Sequence, residues 1–263
     1  MATPGKDATP LLRLDGVSKW FETPRPLEVL RAVSLQVKDG EFVSIVGPSG
    51  CGKSTLFNLI VGVESLTAGA IELAGETDPV KRRLLAAYMF QKDLLLPWRD
   101  VVANAVLGLE VSRACPRTEA RARAMALLPR FGLEGFERHH PAELSGGMRQ
   151  RVALLRTLLL ERPMLLLDEP FASLDALTRL DLQDWLRDTW HNVSLTGTGR
   201  GRGALLVTHD VREAARLSDR IYVMSARPGR ILTEIAVSGS RDAQSLLAVE
   251  QEVLATLGAA EVS

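Results

Sequence analysis

Cysteine is scarce in this chain of 263 residues: only Cys51 and Cys115 occur. Two thiols build no disulfide framework, and a reducing compartment fits. Charge of one sign is not in excess either, with 32 basic against 32 acidic residues, so nothing points to a nucleic-acid polyanion as partner. No run approaches the roughly 18 apolar residues of a membrane span. The greasiest region, 152–167, is interrupted by Arg156, Glu161, Arg162 and Pro163. The opening residues hold no apolar core of the kind a secretory signal has, and no internal repeat is visible. What is present is apolar content of 46%, enough for a substantial core in one large domain or two small ones.

Along the chain, residues 1–10 are rich in Pro, Thr and Gly and read as a loose tail. Strands are expected over 11–21 and 33–37, with a polar stretch containing Pro24 and Pro26 between them, and again over 42–46 and 70–73. From Thr118 the spacing turns helical, with Ala120, Ala124, Leu127, Leu128 and Phe131 on one face. Residues 146–160 read as a second helix, 164–167 as an apolar strand, and 176–190 as a helix whose apolar positions include Leu177, Leu180 and Leu182. Residues 197–203, with four glycines and two arginines, read as a surface loop. Strands over 205–207 and 221–224 flank a helix over 211–217. Strand–helix alternation predicts an α/β fold with parallel strands. The helical block over about 92–160 interrupts it as an inserted subdomain.

Three strings carry chemistry. Gly47-Pro48-Ser49-Gly50-Cys51-Gly52-Lys53-Ser54-Thr55 fits G-x-x-x-x-G-K-[ST] between an apolar strand and a helix start. In that context backbone N–H groups and the helix dipole cradle phosphate. Lys53 is expected to reach the β- and γ-phosphates, and the Ser54 hydroxyl to ligate Mg²⁺. The strand 164–167 ends in Asp168-Glu169, which puts two carboxylates at the carboxyl edge of the sheet, where open α/β folds bind ligands. Asp168 suits Mg²⁺, and Glu169 is then left to polarise a water. Leu144-Ser145-Gly146-Gly147-Met148-Arg149-Gln150 sets a hydroxyl and two glycines at another helix N-terminus, a second anion site.

Taken together, these strings resemble the ATP-binding subunit of ABC transporters, over about residues 11–235. The resemblance implies a P-loop NTPase fold of the ABC ATPase type, with an N-terminal antiparallel β subdomain, the inserted helical subdomain and a C-terminal helix over 241–263. It implies ATP and Mg²⁺ as cofactors, and a head-to-tail homodimer in which Ser145, Gly146, Gly147 and Gln150 meet the ATP on the partner's phosphate loop. Gln91 matches a glutamine that meets Mg²⁺ and the attacking water. Asp175, in Ser173-Leu174-Asp175, matches the loop that communicates between the two sites, and His209 matches the switch histidine at the γ-phosphate. Phe21 aligns with the aromatic that stacks on adenine, although Trp20 is adjacent and equally able to stack. Implied partners are transmembrane permease subunits and, indirectly, a solute-binding protein, with no nucleic acid. The implied location is the cytoplasmic face of the cell membrane.

The segment Gln91-Lys92-Asp93-Leu94-Leu95-Leu96-Pro97-Trp98-Arg99 and the string Ala226-Arg227-Pro228-Gly229-Arg230-Ile231 look like the importers of the nitrate/sulfonate/taurine group. Ala153-Leu154-Leu155-Arg156-Thr157 is similar to importers of pyrimidine precursors. The solute is therefore expected to be nitrate, a sulfonate or a pyrimidine-like compound. The competing class is an ABC ATPase outside transport, of the DNA-repair or translation type, but such proteins carry tandem cassettes or a long coiled-coil insertion. Three features are set aside: His139-His140 as a surface turn, Arg117, Arg121 and Arg123 as a solvated basic face, and Trp185 and Trp190 as packing residues.

Overall fold

The apolar runs at 42–46, 164–168 and 203–208 become strands because both their faces are covered, as parallel strands require. In the computed structural model, which describes residues 10–22, 25–192, 202–237 and 241–261, the chain opens with β1 (Leu12–Phe21) and β2 (Leu27–Val37), followed by β3 (Phe42–Val46), α1 (Lys53–Ile60) and β4 (Ala68–Leu73). Then come α2 (Pro79–Leu85), β5 (Ala86–Met89), α3 (Val101–Ala105), α4 (Leu107–Ser112), α5 (Arg117–Leu127) and α6 (Gly146–Leu158). The last third holds β6 (Met164–Asp168), α7 (Ala176–Asn192), β7 (Gly203–Thr208), α8 (Val211–Leu217), β8 (Arg220–Met224), β9 (Ile231–Ala236) and α9 (Ala243–Glu261). Among the described residues no helix is long and apolar enough to cross a membrane.

Two sheets form. β2, β1 and β4 pair antiparallel in that order. The larger sheet runs β5-β6-β7-β3-β8-β9, parallel throughout except for β9, which pairs antiparallel with β8. Alternate residues of its central strands enter different cores. Leu165, Leu167, Ala204 and Leu206 face the helical block, where they join α3, α5 and α6. Met164, Leu166, Leu205 and Val207 face the antiparallel sheet and α1. The phosphate loop is thus held between two packed layers.

Several expectations need adjusting. The second strand begins at Leu27 rather than at residue 33, so it extends back almost to the prolines. β5 and β9 have no counterpart among the strands the sequence pattern predicts. The Ala86-Ala87 start of β5 has weak strand propensity, and its pairing to β6 supplies the order. On α7 the buried stripe is Leu182, Leu186 and Trp190, spaced four apart, while Leu177 is 76% exposed and Leu180 is also exposed. Trp190 meets Phe42 edge to face and Trp185 meets Phe131 likewise, each worth about 1 kcal/mol beyond area burial. Arg117 and Arg123 are not merely solvated: the first pairs with Glu110, the second with Glu119 and Glu161. Residues 1–9, most of the 197–203 loop and the last two residues lie outside the described residues, while Gly203 itself opens β7.

Candidate functional site

The loop between β3 and α1 closes on itself. Gly52 caps α1 at φ 110°, and a Cβ there would meet the Leu30 side chain at 2.8 Å, so only glycine permits this entry into the helix. Lys53 is buried, and its ammonium donates to Gly47 O at 2.7 Å and Pro48 O at 3.0 Å. The cation therefore sits within the loop at the point where phosphate oxygens can replace these carbonyls. A cavity of 380 Å³ opens over the loop, lined by Ser49, Gly50, Gly52, Lys53, Ser54 and Thr55, by the apolar Phe21, Leu27 and Val29, and by Gln91, Glu169 and Arg227. Cys51 is buried, and desolvation pushes its thiol up, holding it neutral despite the nearby Lys53.

The catalytic candidates converge from the carboxyl ends of neighbouring parallel strands. Asp168 ends β6, almost fully buried, and accepts from the Tyr88 hydroxyl at 3.4 Å. Burial raises its pKa, Ser54 opposes this through a hydrogen bond, and the Glu169 charge adds to the rise. Glu169 follows at φ 49°, a backbone region a non-glycine residue rarely adopts. Its N–H bonds Val207 O at 3.0 Å, and its side chain leaves the strand direction. Gln91, just past β5, donates to Glu169 Oε2 at 3.3 Å. His209, just past β7, lies with Nδ1 3.2 Å from Glu169 Oε1. The loop carrying His209 is fixed by Asp210, which caps α8, and by Thr208, whose hydroxyl accepts from Asp210 N–H and donates to Glu213.

Other expected residues are placed elsewhere. Ser145 caps α6 through Met148 N–H at 3.2 Å, and neither it nor Gly146, Gly147 or Asp175 lines the cavity. Asp175 accepts from Thr178 N–H at 3.0 Å, which lowers its pKa. Gln150 is buried with its amide on Glu169 O at 3.3 Å; it touches the glutamate's backbone rather than the cavity. Phe21 lines the cavity, whereas Trp20, 39% exposed, does not. Arg227 also lines the cavity, and the sequence alone does not mark it as a site residue. Its string carried a family resemblance, but nothing local in the sequence tells that a loop after β8 folds back onto the phosphate loop.

The 92–100 segment is irregular yet firmly tied. Asn104, fully buried, accepts from Leu96 N–H at 2.7 Å and donates to the carbonyls of Leu96, Arg99 and Asp100. From α6, Arg149 bonds the Asp93 carboxylate, and Arg156 donates to the carbonyls of Asp93 and Leu94. Leu94 and Trp98 remain exposed at 52% and 71%, while Leu95 packs against the helical core.

A strand–loop–helix phosphate cradle with Glu169 in its lining and Asp168 bonded to Ser54 behind it defines a P-loop nucleotide hydrolase. A profile of the family described as ABC transporter matches residues 30–172. The chain is 41% identical over 218 residues to the taurine import ATP-binding protein TauB of Yersinia pestis bv. Antiqua, covering 82% of this chain and 81% of that protein. It is 42% identical over 260 residues to the aliphatic sulfonates import ATP-binding protein SsuB of Rhodopseudomonas palustris, covering 97% and 86%. Among solved structures, the dimeric structure of MJ0796, a bacterial ABC transporter cassette, superposes with a TM-score of 0.76 at 31% identity, covering 87% of this chain and all of that one. A post-hydrolysis state of the same cassette bound to ADP and Pi gives 0.75 at 30% identity. The chain belongs to the ABC transporter family. It is an ATP-binding, ATP-hydrolysing cassette.

Proposed function

We propose that this chain powers the import of a small sulfonate-bearing solute, as the peripheral ATPase on the cytoplasmic face of a membrane permease. The observation that carries the reading is the Glu169 carboxylate, which lines the phosphate-loop cavity and is held between Gln91 and His209. The names of the relatives supply the solute class.

The chemistry follows from the placement. ATP enters with its base between Phe21 and the apolar wall and its phosphates over the loop amides. Lys53 exchanges its carbonyl partners for β- and γ-phosphate oxygens. A water at Glu169 attacks the γ-phosphorus; its proton passes to the carboxylate as the new P–O bond forms and the bond to the β-phosphate oxygen breaks. The products are ADP and phosphate. Catalysis is mostly positioning and charge neutralisation: Gln91 orients the water and His209 faces the transferring group.

Ser54 and Asp168 offer a hydroxyl and one carboxylate, joined by a hydrogen bond, with the Gln91 amide nearby. This all-oxygen set fits Mg²⁺, which takes one or two carboxylates and completes its shell with phosphates and waters. When bound, Mg²⁺ neutralises charge on the β- and γ-phosphates. Because Ser145, Gly146 and Gly147 stand apart from the cavity, their anion-binding amides serve the ATP of a second copy in a two-fold dimer. Leu94 and Trp98 face the permease, and a solute-binding protein delivers the solute to that permease.

The test is uptake into proteoliposomes: vesicles containing the cognate permease are loaded with this subunit and ATP, the solute-binding protein is added outside, and uptake of taurine and an alkylsulfonate is followed. Uptake that needs both ATP and this chain supports the reading. Hydrolysis without sulfonate uptake removes the solute assignment and leaves the ATPase.

A further inference from the structure

The turn between β8 and β9 is built to hold one side chain against the phosphate loop. Ser225 N–H bonds Arg230 O at 2.9 Å, and the Ser225 hydroxyl accepts from Arg230 N–H at 3.0 Å and donates to Pro228 O at 3.1 Å. The turn is then pinned to β2: Gly229 N–H donates to Val29 O at 2.9 Å and Arg31 N–H to Gly229 O at 3.0 Å. Gly229 lies so close beneath the phosphate loop that a Cβ there would stand 2.3 Å from Cys51 O. From this base Arg227 reaches Gly50, donating Nε at 3.1 Å and Nη2 at 2.8 Å to the Gly50 carbonyl, and its side chain forms part of the cavity wall.

A trans peptide unit carries its C=O and N–H in opposite directions. Fixing the Gly50 carbonyl on the Arg227 side therefore fixes the Cys51 N–H on the loop-interior side. That amide now donates to Pro48 O at a long 3.4 Å, a weak bond readily exchanged for a phosphate oxygen. Gly50, at φ 76°, is flexible enough for this peptide to turn over without the anchor. A charged donor makes the anchor stronger than a neutral one.

We propose that Arg227 is a positioning residue of the nucleotide site: by gripping the Gly50 carbonyl it aims the Cys51 amide at the nucleotide's phosphates and so sets polyphosphate affinity. The inference rests on the ATPase reading of this cavity. It makes the 225–230 turn part of the binding site although it lies some 170 residues downstream of the phosphate loop.

The test uses the full chain with Arg227→Met and Arg227→Gln. Methionine keeps the unbranched stem out to about the Nε position and loses every donor, while glutamine keeps one neutral donor there for Gly50 O. Affinities for ADP and for adenosine, which lacks phosphate, are measured by displacement of a fluorescent nucleotide, with KM and kcat for ATP alongside. Losing a charge-assisted bond should weaken ADP by about tenfold in Arg227→Met, with KM rising in step, kcat falling less and adenosine unaffected. Arg227→Gln should bind ADP more tightly than Arg227→Met. Unchanged ADP affinity in Arg227→Met overturns the proposal, as does an equal loss for adenosine, which marks a general distortion. Equal ADP affinity in the two variants overturns it too, because the arginine then acts only through its charge. Failure of the unaltered chain to bind ADP would instead sink the ATPase reading itself.

Discussion

His209 Nδ1 lies 3.2 Å from Glu169 Oε1 and so joins the end of β7 to the end of β6. The contact puts the proposed base and the proposed switch histidine in one hydrogen-bonded unit, and hydrolysis should depend on the pair more steeply than nucleotide binding does.

Glu169→Gln preserves size and can still bond Gln91 and His209, but it cannot accept the water's proton. Phosphate release should fall by roughly a hundredfold or more, with ATP affinity retained. By light scattering, the same variant should double its mass on adding ATP and Mg²⁺ and halve it with ADP. Adding Ser145→Arg should leave a monomer that still binds nucleotide. Near-normal turnover in Glu169→Gln would remove Glu169 as the base.

Phe21→Ala should raise the KM for ATP more than it lowers kcat, since stacking on a base is worth about 1–3 kcal/mol. Neighbouring strand residues point to opposite faces; Phe21 lines the cavity and Trp20 does not, so Trp20→Ala should leave KM near its starting value. Steady-state kinetics of the two variants side by side decides which aromatic stacks.

Leu94→Asp with Trp98→Ala should abolish coupled uptake in proteoliposomes while the isolated subunit keeps its basal ATPase. Both side chains are exposed, so the core does not need them. Leu95 is the wrong position to alter, because it packs into the helical core and its loss would confuse docking with folding. Intact uptake would place the docking surface elsewhere.

Glu213 gives a pH prediction. Burial, helped by the charges of Asp210 and Glu169, raises its pKa from 4.5 to about 8 against the opposing Thr208 hydrogen bond, and Oε1 has no hydrogen-bond partner. Between those values the folded chain keeps a proton that the unfolded chain has released. Its contribution to stability is therefore full below pH 4.5 and is lost as pH rises through about 8. Glu213→Gln mimics the protonated form. Thermal unfolding of the two should nearly coincide at about pH 5 and diverge in favour of the variant by about pH 9; a constant gap would show that the carboxyl is ionised throughout.

The strings that read clearly in the sequence are those whose function is local. The phosphate loop needs its own glycines and lysine, and Asp168-Glu169 needs only the strand before it. The helical block was legible because Ala120, Ala124, Leu128 and Phe131 repeat with the helical period and are all buried. What escaped depends on partners distant in the chain. β5 is a strand because β6 lies beside it. Arg227 matters because Gly229 joins Val29. The bond from Gln150 to Glu169 O likewise joins α6 to the end of β6, a contact the string around Gln150 does not announce. Leu177 and Leu180 are apolar without being core, since composition cannot say which helical face meets the sheet.

The Asn104 side chain, with its four bonds to the 96–100 backbone, and the two α6 arginines on Asp93 and Leu94 give the exposed Trp98 segment an unusual mechanical character. A loop so tied has already surrendered its conformational freedom during folding, so a partner that seats on it orders nothing further, and the entropic penalty that weakens association with floppy segments is largely absent. The same ties run on toward the site: Arg149 and Arg156 belong to α6, and α6 carries Gln150 on the backbone carbonyl of Glu169, so a single helix joins the exposed segment to the proposed base.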